Sequence, residues 1–272
     1  MTAAGTLETA LSIAGSDPTG GAGLQADLQV FRALGVHGAA VVTALTVQDS
    51  RKVHRVLPVF PSVVLDQLRV LLRDLAPRAV KVGMLANDDV VRNVILGLME
   101  LEDAVPVVVD PVLLASDGTP LLERRAWPSL RDLVSRAALV TPNLPEAEAL
   151  AERDVSTRAA TEDAARFLVR ELGAGAALVK GGHRDGAPDD LLAVRAGDAV
   201  ELEWLPGERI DIDSVHGTGC ALSSAIAALL ARGEPLRRAV AGGRVFVSEA
   251  IRRSAPASRA GSGGGARFLV YP

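Results

Sequence analysis

Apolar runs recur along the chain at residues 10–14, 39–47, 79–82, 105–109, 138–140 and 176–179. Because they are continuous rather than alternating, they predict parallel strands buried on both faces. Helical periods separate them, over 24–34, 62–75, 88–101, 121–134, 146–151 and 161–172, with Pro61 and Asp88 fitting helix starts and Gly35 and Gly173 fitting stops. From 191 to 205 the pattern becomes hairpin-like around Ala196-Gly197-Asp198, which predicts antiparallel strands at a sheet edge. Helices over 221–232 and 236–253 complete the set. This strand-helix rhythm predicts an α/β fold, a doubly wound open sheet that binds ligands beyond the carboxyl ends of its strands. No internal repeat breaks it. One domain is expected over residues 1–253, followed at 254–272 by a flexible tail rich in Gly, Ser and Ala, whose last run (267–271) could dock as a strand or fray.

Composition narrows the function classes. Charge is near balance, with 29 Lys+Arg against 33 Asp+Glu, and aromatic residues make up 3%, so neither a basic stripe nor a stacking platform points to nucleic acid. A single cysteine excludes an internal disulfide and a multi-cysteine zinc cluster. No Lys or Arg precedes Arg32, unlike a signal peptide, and the apolar runs are short for a membrane span of about 20 residues. The expectation is a soluble cytoplasmic protein with no membrane and no nucleic-acid partner.

Polar clusters fall where the predicted strands end. The loop of residues 15–23, GSDPTGGAG, lets a ligand approach the backbone near Gly15, but it lacks the Gly-Lys-Ser/Thr of a Walker A motif; its plainer reading is a flexible turn. Gln48 carries an amide that donates and accepts together, which suits a heteroaromatic edge, or it is merely solvated. Asp110 ends another run, and Asn143 and Glu146 stand three apart at a helix start. Carboxylates there suit Mg²⁺, while the 143/146 spacing equally suits a capping box. Lys180 and Gly182 close a further run, where the lysine could meet phosphate or simply snorkel.

Gly217, Thr218 and Gly219 lead through Cys220 into an apolar helix. Glycines that expose successive N–H groups, together with the positive end of a helix, make an anion cradle. The same field predicts a Cys220 thiol below the roughly 8.5 of a free cysteine. The alternative is a small buried cysteine opening a core helix.

The segments GSDPTGGAGLQADL (15–28), ALTVQDS (44–50), VKVGML (80–85), VVDPVLLASDGTPLL (108–122), TPNLPEAEAL (141–150), VKGGH (179–183) and HGTGCALSSAIAA (216–228) occur in order, and together they resemble the hydroxymethylpyrimidine/phosphomethylpyrimidine kinases of thiamin biosynthesis. That resemblance covers about residues 9–253. It implies a ribokinase-like three-layer sandwich, a mostly parallel central sheet with helices on both faces and an antiparallel edge. Cys220 then matches a catalytic base that is aspartate in most ribokinase-like relatives, and Gly217, Thr218 and Gly219 match the anion hole. Asp27, Gln48 and Met84, beside Gly15, match positions that hold the aminopyrimidine. Asp110 and Glu146 match metal-organising positions, and Asn143, Lys180 and Gly182 lie toward the nucleotide. The resemblance further implies ATP, Mg²⁺, room for a monovalent cation, and a homodimer. This chain departs from the pattern at Val47-Gln48-Asp49-Ser50, at Leu113-Leu114-Ala115-Ser116 where a lysine is usual, at His37, and at its C-terminal ending. These departures bear on the second phosphorylation and on the ring. A pyridoxal kinase with the same GTGC string and a non-catalytic ligand-binding protein on the same fold are the alternatives.

Overall fold

The computed structural model describes residues 7–182, 187–210, 215–254 and 267–272. The expected flexibility of 255–266 and the position of His183 lie outside the described residues. Nine strands form one sheet: β1 (Thr9–Ser16), β2 (His37–Gln48), β3 (Val53–Pro58), β4 (Ala79–Val82), β5 (Val107–Val109), β6 (Leu139–Val140), β7 (Ala176–Val179), β8 (Asp190–Ala196) and β9 (Ala199–Leu205). Their order is β3-β2-β1-β4-β5-β6-β7-β8-β9. The six from β2 to β7 in that order run parallel, while β3 at one edge and β8 and β9 at the other are antiparallel. A second, two-stranded sheet pairs β10 (Val215–His216) in parallel with β11 (Arg267–Phe268). The final run therefore docks as a strand.

Among the described residues eight helices cover the sheet: α1 (Gly23–Ala33), α2 (Pro61–Leu75), α3 (Asp88–Leu98), α4 (Trp127–Val134), α5 (Leu144–Ala151), α6 (Arg158–Arg170), α7 (Thr218–Ala231) and α8 (Leu236–Ser254). Side chains alternate faces along a strand, and β5 shows the result: Val107 and Val109 join the core under α2 to α6, whereas Val108 joins the core under α1, α7 and α8. α7 is buried nearly all round, and its Ala and Ser residues let it lie close to the sheet. None of the described helices is long and apolar enough to cross a membrane.

Two elements differ from the sequence pattern. β3 was not expected; only Val53 of it is buried, so its hydrophobic signal is too thin for a periodicity argument. The helix expected from 121 begins at Trp127 instead, after a 3₁₀ turn at Arg124–Ala126. Pro128 has no N–H with which to continue a helix begun upstream. The N–H groups of Leu121 and Leu122 instead reach the Leu113 carbonyl, and that of Glu123 reaches Ala86.

Candidate active site

β1 pairs with β2 on one side and β4 on the other, so connections leave it in opposite directions and open a crevice at the strands' carboxyl ends. A cavity of about 930 Å³ occupies that crevice. Gly15 enters it from β1, Gln48 from β2 and Met84 from just beyond β4. Asp110 follows β5, Asn143 and Glu146 follow β6, and Lys180 and Gly182 follow β7. Gly217, Thr218, Gly219 and Cys220 close it from the start of α7.

Backbone geometry builds the cradle. Gly217 caps α7 at φ 85°, and a side chain on it would run into the Gly21 carbonyl. Gly23, at φ 57°, would likewise strike the Gly15 carbonyl. These residues are glycine because two loops interlock there and both backbones are left-handed. The first bond of α7 runs from Ala221 N–H to the Gly217 carbonyl at 2.9 Å. Among the described residues the N–H groups of Thr218, Gly219 and Cys220 therefore have no helical acceptor, the arrangement that suits an anion.

A charged cluster adjoins the cradle. A Cβ placed on Gly219 would lie 3.3 Å from Lys180 Nζ and 3.8 Å from Asp110 Oδ2. Lys180 donates to Asp110 Oδ1 at 2.9 Å, and Thr141 Oγ1 donates to the same oxygen at 3.2 Å. Burial alone would raise Asp110, but the Lys180 and Lys81 charges hold it below the usual carboxylate range. Glu146 goes the other way, pushed up to about 7 by burial, with the Asp110 charge adding and Lys180 opposing. Asn143 and Glu146 do form a capping box, each side chain accepting the other's backbone N–H at 2.8 Å. Both residues also line the cavity, so the cap and the site share them.

Two expectations are corrected. Asp27 does not line the cavity: it is fully buried, and its carboxylate accepts from Ser12 (2.5 Å), Ser224 (2.6 Å) and Lys81 (2.8 and 2.9 Å). With its oxygens so occupied, it braces β1, β4 and α7 from behind rather than touching a ligand. Cys220 is not acidified. Desolvation pushes its thiol up to about 11, and the charges of Asp27 and Asp110 add to that, against Lys81 and the Gly23 N–H.

Sequence reasoning passed over Lys81, Asp17 and Arg244. Lys81 is a fully buried lysine at the cavity floor, and the signal was one cation inside the valine run of β4. Asp17 organises the 17–22 loop by accepting from Thr19 and Ala22 N–H groups at 2.9 Å each, the turn signature of Asp-Pro-Thr-Gly. Arg244 lines the cavity while pairing with Asp190 at 2.8 Å; nothing in the α8 sequence marks it out.

The family model for phosphomethylpyrimidine kinase matches residues 17–265. The chain belongs to the phosphomethylpyrimidine kinase family. Among curated relatives it is 42% identical, over 243 residues, to the hydroxymethylpyrimidine/phosphomethylpyrimidine kinase of Rhizobium meliloti, covering 89% of this chain and 90% of that protein. It is 40% identical to the thiamine biosynthesis bifunctional protein ThiED of Geobacter sulfurreducens, but spans only 50% of that longer chain. Among solved structures, phosphomethylpyrimidine kinase from Clostridium difficile 630 superposes with a TM-score of 0.78 at 33% identity, over 90% of this chain and 99% of that one. The pyridoxal kinase of Staphylococcus aureus in complex with AMP-PCP and pyridoxal reaches 0.83 at 28% identity, over 98% and 94%. This kinase family thus carries the expected ribokinase-like architecture, and its phosphate chemistry fits the cradle described above.

The capping box and a metal role for Glu146 make different predictions. Glu146→Gln keeps an oxygen for the Asn143 N–H, so the cap survives; outright loss of a cap would cost about 1 kcal/mol. Because burial raises the folded-state value above the unfolded one, Glu146 costs the fold stability as pH rises from the ordinary glutamate range to about 7, and the full cost is present at pH 8. The variant is therefore expected to melt at or slightly above the wild-type temperature at pH 8, while its activity falls and its Mg²⁺ dependence shifts. A less stable variant with wild-type turnover would leave Glu146 as a cap only.

Proposed function

We propose that this chain transfers the γ-phosphoryl group of ATP to the hydroxymethyl oxygen of 4-amino-5-hydroxymethyl-2-methylpyrimidine, and then to the resulting monophosphate. The observation that carries the reading is the cradle itself: the backbone donors at the start of α7, Cys220, the Lys180–Asp110 pair and Gln48 all converge on one cavity. Transfer of this kind depends mostly on positioning and charge stabilisation. In the proposed mechanism Cys220 accepts the alcohol proton, and the N–H groups of Thr218, Gly219 and Cys220 receive charge from the moving phosphoryl group. Lys180, with Asn143 and Gly182, faces the nucleotide; Gln48, Met84 and Gly15 hold the ring.

Asp110 and Glu146 suit Mg²⁺. The described residues contain no cluster of three or more His, Cys, Asp and Glu able to hold a metal alone, but Mg²⁺ typically takes one or two carboxylates and fills its shell with phosphates and water. Glu146, held up to about 7 by burial, is a carboxylate whose ionised form a cation would favour. When bound, Mg²⁺ supplies charge neutralisation along the phosphates. The protein's own residues orient them.

The 0.83 superposition on a pyridoxal kinase supports a second reading, phosphorylation of pyridoxal. ATP consumption by the purified protein with each alcohol separates the two, and no turnover with either would leave a binding protein. Gln48→Leu tests the ring assignment. A site built to hydrogen-bond a polar edge rejects a partner lacking it strongly, so KM for the aminopyrimidine is expected to rise at least tenfold with KM for ATP unchanged. Equal effects on both substrates would remove Gln48 from the ring. A cytoplasmic homodimer completes the proposal: the β2–β3 ribbon leaves Leu45, Val47 and Leu57 between 41% and 52% exposed, an apolar face that a second copy would cover.

A further inference from the structure

At the mouth of the cavity four groups meet whose hydrogen-bonding needs permit one arrangement. His216 Nε2 lies 3.2 Å from Asp17 Oδ2 and 3.4 Å from one end of the Gln48 amide. The other end of that amide lies 3.3 Å from Thr46 Oγ1, and Thr46 Oγ1 is 3.0 Å from the Ser16 carbonyl. The ring of His216 is held in place by Phe268 of β11, edge to face at 6.4 Å and 71°, and by the backbone of Gly21.

Protons can be assigned from the acceptors outward. Asp17 also accepts from Thr19 and from the Ala22 N–H. Burial would raise its carboxyl, but the His216 and Thr19 hydrogen bonds hold it below the ordinary carboxylate value. An ionised carboxylate only accepts, so the proton between Asp17 and His216 sits on Nε2. That nitrogen then has no lone pair for a Gln48 N–H. At the far end the Ser16 carbonyl also only accepts, so the single Thr46 hydroxyl proton points to it and leaves Thr46 oxygen free to accept. With the amide nitrogen toward His216, an N–H would face an N–H at one end and two oxygens would face each other at the other. Turning the amide by 180° places its two ends in the same space and removes both conflicts: Oε1 faces the Nε2 proton, which His216 shares between Asp17 and Gln48 as a three-centre bond, and the amide Nε2 donates to Thr46.

We propose that His216, anchored by Asp17, is a specificity-determining residue that fixes the sense of the Gln48 amide and so the order of donor and acceptor shown to the ring. The inference rests on the ring assignment of Gln48 above. With one N–H given to Thr46 and one lone pair taken by His216, the amide keeps a donor on the Thr46 side and an acceptor on the His216 side. An edge with a ring nitrogen beside an exocyclic amine matches that pair in one orientation only. A 4-oxo edge, which carries a ring N–H beside a carbonyl, presents the reverse order and is refused.

The tautomer of His216 is measurable without any substrate, by long-range ¹H–¹⁵N correlation on the whole protein, with the signal assigned by its loss in His216→Phe. Nε2 is expected to carry a proton. A bare Nε2 with the proton on Nδ1 alone would overturn the proposal, and this readout stands whether or not the enzyme phosphorylates a pyrimidine. Kinetics supply the second arm. Asp17→Asn removes the carboxylate that holds the proton on Nε2 and so frees the amide to reverse. The expected result is a loss of about tenfold or more in the ratio of kcat/KM for the 4-amino alcohol to that for its 4-oxo analogue, the scale of a reversed hydrogen-bond pair, with KM for ATP within twofold of wild type. His216→Phe is expected to reduce the same ratio in the wild-type background and to leave it unchanged in a Gln48→Leu background. Equal effects in both backgrounds would make His216 a packing partner of Phe268 and nothing more.

Discussion

Cys220→Ala is expected to lose between 100-fold and 10,000-fold of the alcohol kinase rate, about 3 to 5 kcal/mol of barrier, and far less of the monophosphate kinase rate. The two steps ask different things of a base. An alcohol must shed a proton as it attacks, whereas a phosphate monoester, with a second pKa near 6, is already mostly ionised at neutral pH. The cradle is backbone, and its Thr218 and Gly219 donors survive the substitution. Single-turnover assays with each acceptor at pH 7.5 decide the matter; equal losses would make Cys220 a packing residue. The raised thiol adds a sign. Since desolvation pushes Cys220 up to about 11, the thiolate is scarce at neutrality and the alcohol step should accelerate as pH rises. Cys220→Asp, ionised throughout that range, should flatten the profile. A rate that falls between pH 7 and 9 in the wild type would contradict proton transfer to this sulfur.

The largest stability loss is expected at the floor of the site. Lys81 and Asp27 form a pair at 2.8 Å in which both side chains are fully buried. Removing one partner of such a pair typically costs 3 to 5 kcal/mol, because the remaining charge cannot reach water. Lys81→Met should therefore lower the melting temperature by roughly 10 °C or more, at about 2 to 4 °C per kcal/mol for a chain of this size. Replacing both partners with apolar residues of similar volume is often neutral, so Lys81→Met with Asp27→Leu should recover much of the loss. A double variant no better than the single would mean that the Ser12 and Ser224 contacts to Asp27, rather than the ion pair, hold these elements together.

The parallel strands and their helices were legible because buried runs and amphipathic periods leave a local trace. β4 and β7 fell on their residues, and Gly35 and Gly173 stopped helices at positive φ. The site was legible for a related reason: in this architecture chemistry gathers where strands end, and every polar cluster named from those ends reached the cavity except Asp27. What stayed hidden was set by partners distant in sequence. Asp27 is assigned to the aminopyrimidine until Lys81, 54 positions on, is seen beside it. The Cys220 thiol reads as acidified until the desolvation of its surroundings and the charges of Asp27 and Asp110 are weighed against the helix. His216 gains a meaning only when Asp17, 199 positions away, supplies the acceptor that orients it.

The interlock of Gly217 with the Gly21 carbonyl, and of Gly23 with that of Gly15, has an evolutionary side. A cradle made of backbone, with no space at these points for a side chain, offers mutation almost nothing to adjust short of destroying it. Divergence in what such an enzyme phosphorylates must then come from the walls, where Gln48, Met84 and residues 112–124 supply replaceable side chains. One anion-binding device can thereby be inherited intact while its clientele changes. The superposition on kinases named for two different ring compounds is what that division of labour would leave behind.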